Sequence, residues 1–211
     1  MQIPLNKYKN IIFDLGGVIF NIDYHLSTQA FASLDLKNFD SLFSQAKQTQ
    51  LFDRYEKGLI SSVEFRNELR TFYGNDLPDE KIDHCWNALL LDLPKERLDL
   101  LKKLKTSHRT FLLSNTNEIH MMAIYAYLHD IYGISDLSAY FEKVYLSYEI
   151  NMRKPDQEIF QHVLNENGLL AEETLFIDDS AQHVESAKKL GIHAILLDVK
   201  EEGIVEMMSG W

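Results

Sequence analysis

The sequence predicts an α/β protein, with a parallel β-sheet flanked by helices and a small helical unit inserted after the first strand. Three features predict it. Short apolar runs recur along the chain at strand length. Amphipathic helical patterns separate the later runs, which is the order that builds βαβ units and a parallel sheet. Between Asp23 and about Leu93 that rhythm stops, and the pattern is helical only.

The first run covers residues 11–13, Ile-Ile-Phe. Residues 111–113, 175–177 and 194–197 repeat the type, and 144–146 is a weaker fifth. Being apolar at consecutive positions, they predict strands covered on both faces. Leu98, Leu101 and Leu104 keep a helical spacing; Ile159, Phe160, Val163 and Leu164 form a second apolar face. Val184, Ala187 and Leu190 form a third, which Gly191 is expected to end as the C′ residue. In the inserted stretch, Ser61-Ser62-Val63-Glu64 is a capping box. It opens a helix whose apolar positions are Val63, Phe65, Leu69 and Phe72. Pro78 with Asp79 and Glu80 suits the first turn of another. The expected division is a core of residues 1–24 and 94–211, with 25–93 as the helical insertion.

The 211 residues are enough to bury a sizeable core, and 45% hydrophobic with 25% charged residues is ordinary for a globular protein. A net charge of -11 argues against a nucleic-acid partner, which needs a basic face for phosphates. Cys85 is the one cysteine, so no internal disulfide forms; Ile82, Trp86 and Leu89 around it predict a buried thiol. The first ten residues, MQIPLNKYKN, carry no signal-peptide pattern, and no apolar run reaches the roughly 20 residues of a membrane span. No membrane association and a cytoplasmic location are expected; the oligomeric state is left open.

In an open parallel sheet, ligands bind beyond the carboxyl ends of the strands. Asp14 follows the first run, Ser114-Asn115-Thr116-Asn117 the second, and Asp178-Asp179-Ser180 the fourth. The weak run leads to Asn151-Met152-Arg153-Lys154-Pro155. Singly, most of these have plain readings: Asp178 to Ser180 or Ser114 as helix caps, Lys154 as a solvated loop lysine. Asp14 is harder to dismiss, because a carboxylate next to a buried strand is costly unless paired or used. Four strand ends that are polar in complementary ways point to one site.

In order and spacing, FDLGGV at 13–18, LLSNTN at 112–117, RKPD at 153–156 and FIDDS at 176–180 resemble the haloacid dehalogenase superfamily of Asp-nucleophile hydrolases. The resemblance spans nearly the whole chain and implies a Rossmann-like core with a cap inserted after the first strand. Arg54 to Gly58 with Ile60 and Ser61 is similar to the cap's substrate-facing loop. DLGGVIFNID, LSNTN and MRKPD resemble, within that superfamily, the bacterial sugar-phosphate phosphatases acting on glucose-1-phosphate.

The resemblance implies catalysis by Asp14 as nucleophile and Lys154 as cation, acting on a small phosphorylated metabolite. Ser114, the backbone of Asn115 and Lys154 would bind the phosphate. Asp14, Asp179 and the carbonyl of Gly16 would hold Mg²⁺, the hard cation that such oxygen ligands suit. Asp178 is a possible metal partner through water, or orients Lys154. Most relatives carry a second aspartate at the position of Gly16, acting as general acid, a role worth roughly 10²- to 10⁴-fold. Water, the cap residue Glu56 or an intrinsically good leaving group would take its place. His120 is expected in packing or at the surface. Two further readings share these residues: a phosphate- or partner-binding protein without turnover, and a metal-free dehalogenase using Asp14 on carbon.

Overall fold

Five strands form one all-parallel sheet in the order β3-β2-β1-β4-β5. They are β1 (Asn10–Phe13), β2 (Arg109–Ser114), β3 (Lys143–Leu146), β4 (Thr174–Asp178) and β5 (His193–Leu196). All five expected runs fall on strands: β1, β3 and β4 gain one or two residues, β2 gains three, and β5 starts one residue earlier and leaves out Leu197. The structure, a computed structural model, describes residues 4–34, 50–73 and 77–209.

Alternation within the strands sorts their side chains onto two cores. Ile11, Phe13, Leu112, Leu175 and Ile177 face one side, against Leu98, Leu101 and Leu104 of the Lys95–Lys105 helix and Ile124 and Leu128 of Glu118–Tyr132. Ile12, Phe111, Leu113 and Phe176 face the other, against Ile159, Phe160 and Val163 of Gln157–Asn167 and Ala187 of Ala181–Lys188. Helices on both faces explain why the strands read as unbroken apolar runs. β5 departs from that expectation. It is the edge strand, and Leu196 is 49% exposed although the sequence reads it as core. Gly191 turns the chain at φ +82, but the helix has its C-cap at Lys189, so Gly191 is the C″ residue and not the expected C′.

Between β1 and β2 the described residues form helices only: Tyr24–Ala32, Leu51–Glu56, Ser62–Tyr73 and Asp79–Asn87, before the Lys95–Lys105 helix returns to the sheet. The capping box forms as predicted. Glu64 Oε2 accepts from the Ser61 backbone N–H at 2.8 Å, and Ser61 Oγ accepts from the Glu64 N–H at 3.2 Å. Pro78 is the N-cap of Asp79–Asn87, just ahead of the first turn expected for it. These helices share an apolar cluster of Phe31, Leu51, Tyr55, Phe65, Leu69, Ile82 and Cys85, so the buried thiol is where its neighbours predicted. Val63 is not in it: at 60% exposed it faces outward, two positions from Phe65 on the helix. The expected apolar side chain of Phe72 and the expected insertion residues 35–49 and 74–76 lie outside the described residues.

The insertion leaves and rejoins the core through paired segments. Asn21 and Asp23 donate backbone N–H groups to Asp92 and Leu89 at 2.7 and 2.8 Å, and Leu91 donates back to Asn21 at 3.0 Å. Among the described residues no helix is long and apolar enough to cross a membrane.

Phe65 stacks on Tyr55 with ring centroids 4.1 Å apart and is fully buried. Phe65→Ala should lose about 3–5 kcal/mol of unfolding free energy, while Val63→Ala stays within about 0.5 kcal/mol. Denaturant titration of both variants checks this.

Candidate active site

β1 lies at the centre of the sheet, so its carboxyl end is flanked by those of β2 and β4. Asp14 continues the ladder, donating its N–H to the Ile177 carbonyl at 2.9 Å. This brings its carboxylate beside Asp178 and Asp179, which end β4. One oxygen from each of the three lies within 4.8 Å of the others.

Lys154 joins two of them. Its ammonium donates to Asp14 Oδ1 at 2.6 Å and to Asp178 Oδ2 at 2.7 Å, and the side chain is wholly buried. The loop presenting it is held by a reciprocal pair. The Asn115 side chain donates to the Lys154 carbonyl and accepts from its N–H, both at 2.8 Å. Ser147 makes a second tie, accepting from the Thr116 N–H at 2.9 Å and donating to the Thr116 carbonyl at 3.0 Å. Asp178 is saturated: its Oδ1 accepts from the Ser180 N–H at 2.8 Å and lies 3.0 Å from His183 Nδ1.

A cavity of about 420 Å³ opens over this cluster. Asp14, Gly16, Ser114, Asn115, Asp179 and Glu56 line it, but Lys154 and Asp178 stand behind the wall. Of the plain cap readings, only that of Ser180 holds. Asn117 caps the Glu118–Tyr132 helix through His120 N–H, and Ser114 does not. Ser180 is the N-cap of the following helix without a side-chain cap bond, and Asp178 is spent on the Ser180 N–H, His183 and Lys154. Lys154 is no solvated loop lysine.

Three carboxylates around one ammonium leave two uncompensated negative charges. Burial pushes the Asp14 carboxyl up to about 7; Lys154 opposes this, while Asp178 and Asp179 add to it. Burial and Asp178 also raise Asp179. Burial alone would raise Asp178 too, but Lys154 and His183 outweigh it and bring it down to about 2. The unmet charge is therefore on Asp14 and Asp179. The clustered carboxylates make an oxygen-only donor set, which suits a hard divalent cation such as Mg²⁺.

The two glycines of the first motif differ. Gly17 has φ +79, and a Cβ there would lie 2.2 Å from Asp179 Oδ2, so only glycine lets the backbone pass this carboxylate. At Gly16 a Cβ would lie 2.9 Å from Ile22 Cδ1. That atom is the tip of a flexible side chain, so a side chain at position 16 asks only that Ile22 turn slightly aside.

Residues that the sequence reading did not single out complete the wall, among them Phe20, Ile22, Tyr24, Leu89, Leu90 and His183. His120 is packed, stacking on Trp86 at 5.1 Å with Nδ1 2.8 Å from Asn87 Oδ1, yet it also lines the cavity. Burial lowers its pKa to about 3, so the ring is neutral. Glu56 ends the Leu51–Glu56 helix, and its Oε2 is 2.9 Å from the Arg153 guanidinium. Burial raises the Glu56 pKa, with Arg153 the main opposing influence.

The sign of the Asp14 shift gives a test. A carboxyl with a folded pKa above its unfolded value contributes stability that is fully present below the unfolded value, near 3.8, and is lost as pH rises through about 7. Without divalent metal, the protein should lose on the order of a few kcal/mol between pH 4 and pH 7. Asp14→Asn cannot ionise and should show a much smaller loss. Urea titrations of both proteins at several pH values across this window check it; equal slopes would remove the charge imbalance.

A sequence profile described as haloacid dehalogenase-like hydrolase matches residues 8–191. The chain is 35% identical over 183 residues to D-ribitol-5-phosphate phosphatase of Bacteroides thetaiotaomicron, covering 87% of this chain and 88% of that protein. A magnesium complex of a HAD family enzyme from Bacteroides thetaiotaomicron superposes with a TM-score of 0.85 at 38% identity, over 93% of this chain and 96% of that one. A predicted HAD-like hydrolase from Porphyromonas gingivalis has a TM-score of 0.85 at 29% identity, over 97% of each chain. The profile match over most of the chain, with the relative's identity and coverage, establishes that the chain belongs to the haloacid dehalogenase-like hydrolase family.

Proposed function

We propose that this chain is a Mg²⁺-dependent phosphatase that hydrolyses small phosphate monoesters of sugars or polyols through an aspartyl-phosphate. The observation that carries the reading is Asp14 at the cavity wall, with Lys154 on one carboxylate oxygen and Asp179 and Ser114 beside it. Lys154 holds Oδ1, which leaves Oδ2 to attack phosphorus. That attack forms an Asp14–phosphate bond as the ester P–O bond breaks, and the departing alkoxide takes its proton from water. Water then attacks the phosphorus, its proton passes to solvent, the Asp14–phosphate bond breaks, and the Asp14 carboxylate and inorganic phosphate are released. Such transfers depend mostly on positioning and charge neutralisation. Ser114 Oγ and the Asn115 N–H serve as donors to the phosphate oxygens. Lys154 acts through Asp14, orienting it and lowering the cost of its charge. Asp14, Asp179 and the Gly16 carbonyl are the metal ligands in this reading, and Asp178 orients Lys154. Bound Mg²⁺ supplies the positive charge that lets a phosphate dianion approach two carboxylates.

In the same reading, the helices between residues 25 and 93 serve as a cap over a core of residues 1–24 and 94–211. Their shared apolar cluster and the paired segments at residues 21–23 and 89–92 support it. A dehalogenase would have no use for the surplus carboxylates, and a mere binder no use for an oriented nucleophile.

The expected glucose-1-phosphate and the ribitol 5-phosphate of the 35%-identical relative share a small hydroxylated carbon chain. They differ in leaving group: the anomeric oxygen departs more readily than a primary alkoxide. With glycine at position 16, no carboxylate there assists departure.

Asp14→Asn should reduce phosphate release from both esters to below about 1% of wild type. Chelation should stop the wild type, and Mg²⁺ should restore it. Phosphate release that persists without divalent metal would overturn the metal dependence, and halide release from a haloacid without metal would favour the dehalogenase chemistry.

Across a leaving-group series, kcat/KM should fall steeply with alkoxide basicity. Gly16→Asp should flatten the series, since only the movable tip of Ile22 lies close to the new side chain. It should rescue the poorest leaving groups by roughly 10²-fold. A flat wild-type series would mean that a general acid is already present.

A further inference from the structure

We propose that Glu56, fixed by Arg153, is a hydroxyl-binding residue that selects leaving groups with hydroxyls on their carbon chain; this rests on the phosphatase reading and names what the site recognises. The geometry of the ion pair carries it. Glu56 Oε2 and Arg153 Nη2 are 2.9 Å apart, but Oε2 makes no aligned hydrogen bond, and Arg153 Nε, also buried, makes none. Both unbonded atoms are closed to solvent while the Glu56 side chain stays 25% exposed, so Arg153 anchors the carboxylate through Oε2 and Oε1 is the acceptor left for a ligand. Both residues line the cavity that contains Asp14. A hydroxyl donates to such an acceptor.

The pair is held rigidly. Arg153 Nη1 bonds Asp53, one turn before Glu56 on the same helix, so the guanidinium is shared by two carboxylates and leaves Glu56 a strong acceptor. Lys57 Nζ donates to Asp156 at 2.9 Å, and Asn151 donates to the Lys57 carbonyl at 2.8 Å. A Cβ on Gly58 would lie 2.0 Å from the Tyr148 carbonyl oxygen, so the chain packs flush against the core just past Glu56. Arg153 precedes Lys154, and one short loop therefore holds both the hydroxyl acceptor and the nucleophile. Phe20, Ile22, Leu89 and Leu90 supply an apolar wall for the C–H faces of a carbon chain.

A site that offers hydrogen bonds discriminates against a substrate lacking the hydroxyl, because its own polar groups then stay unpaired. The test compares ribitol 5-phosphate with n-pentyl phosphate, which has the same carbon count and a primary leaving oxygen but no free hydroxyl. The readout is the ratio of their kcat/KM values in the full-length protein with Mg²⁺. In Glu56→Leu the preference for ribitol 5-phosphate should fall about tenfold to hundredfold, through KM. Glu56→Gln, which keeps the shape and one acceptor, should fall less and gives the same readout where the leucine variant does not fold. An unchanged ratio overturns the inference. So does a fall in kcat for both esters that tracks leaving-group basicity, which would make Glu56 the missing proton donor. A wild type that cleaves neither ester nor p-nitrophenyl phosphate would overturn the phosphatase reading itself.

Discussion

The Lys154 ammonium between Asp14 and Asp178 is the interaction on which the rest of the site depends. Burying an unpaired ammonium would cost several kcal/mol. Burial alone would lower the Lys154 pKa, and the two carboxylates outweigh it and raise it. This compensation requires the ends of β1 and β4 to be neighbours, which the strand order supplies. It also requires the Lys154 loop to stay in place, and Asn115 does that from the end of β2. Three strand ends therefore meet around one charge. Asn115 shows how a motif residue serves through packing as well as chemistry: its side chain is committed to the Lys154 backbone, so only its own N–H is left to face a ligand.

One ammonium does not balance three carboxylates, and that shortfall organises the remaining surroundings. Asp178 takes the most stabilisation and is the most acidic; Asp14 and Asp179 are left short of positive charge at the cavity. A site in this condition attracts a cation and holds one carboxylate ready to share its charge. Gly17 lets the backbone pass close to Asp179 without a side chain in between. Beside Gly16 the nearest group is the movable tip of Ile22.

The helices between β1 and β2 meet the core along two seams. At one, Trp86 Nε1 donates to Asn117 at 3.2 Å, and Tyr55 accepts from the Ile119 N–H at 3.3 Å. At the other, Arg153 and Asp156 hold Glu56 and Lys57. Both seams end on loops that also build the site. A shared fold leaves substrate choice to such local groups, and here they combine an apolar wall with one charged, incompletely bonded pair.

The sequence by itself determined the strand runs, the helical insertion, the family motifs and the group of Asp14, Ser114, Lys154 and Asp179. The physical reason is local: strands apolar on both faces read as unbroken runs, and in a parallel sheet the polar residues following them collect at one edge. Several features needed the tertiary structure. Leu196 reads as core, but edge position exposes it. Val63 fits an apolar helix pattern, yet the helix turns it outward. His120 lines the cavity, and His183 bonds Asp178, with no signal beyond lying on helices that follow motifs. The approach of Ile22 to Gly16 and the pairing of Glu56 with Arg153 are contacts across 6 and 97 residues of sequence. Residue pattern records which face a side chain prefers. Which partner fills the space in front of it is decided only when distant segments pack.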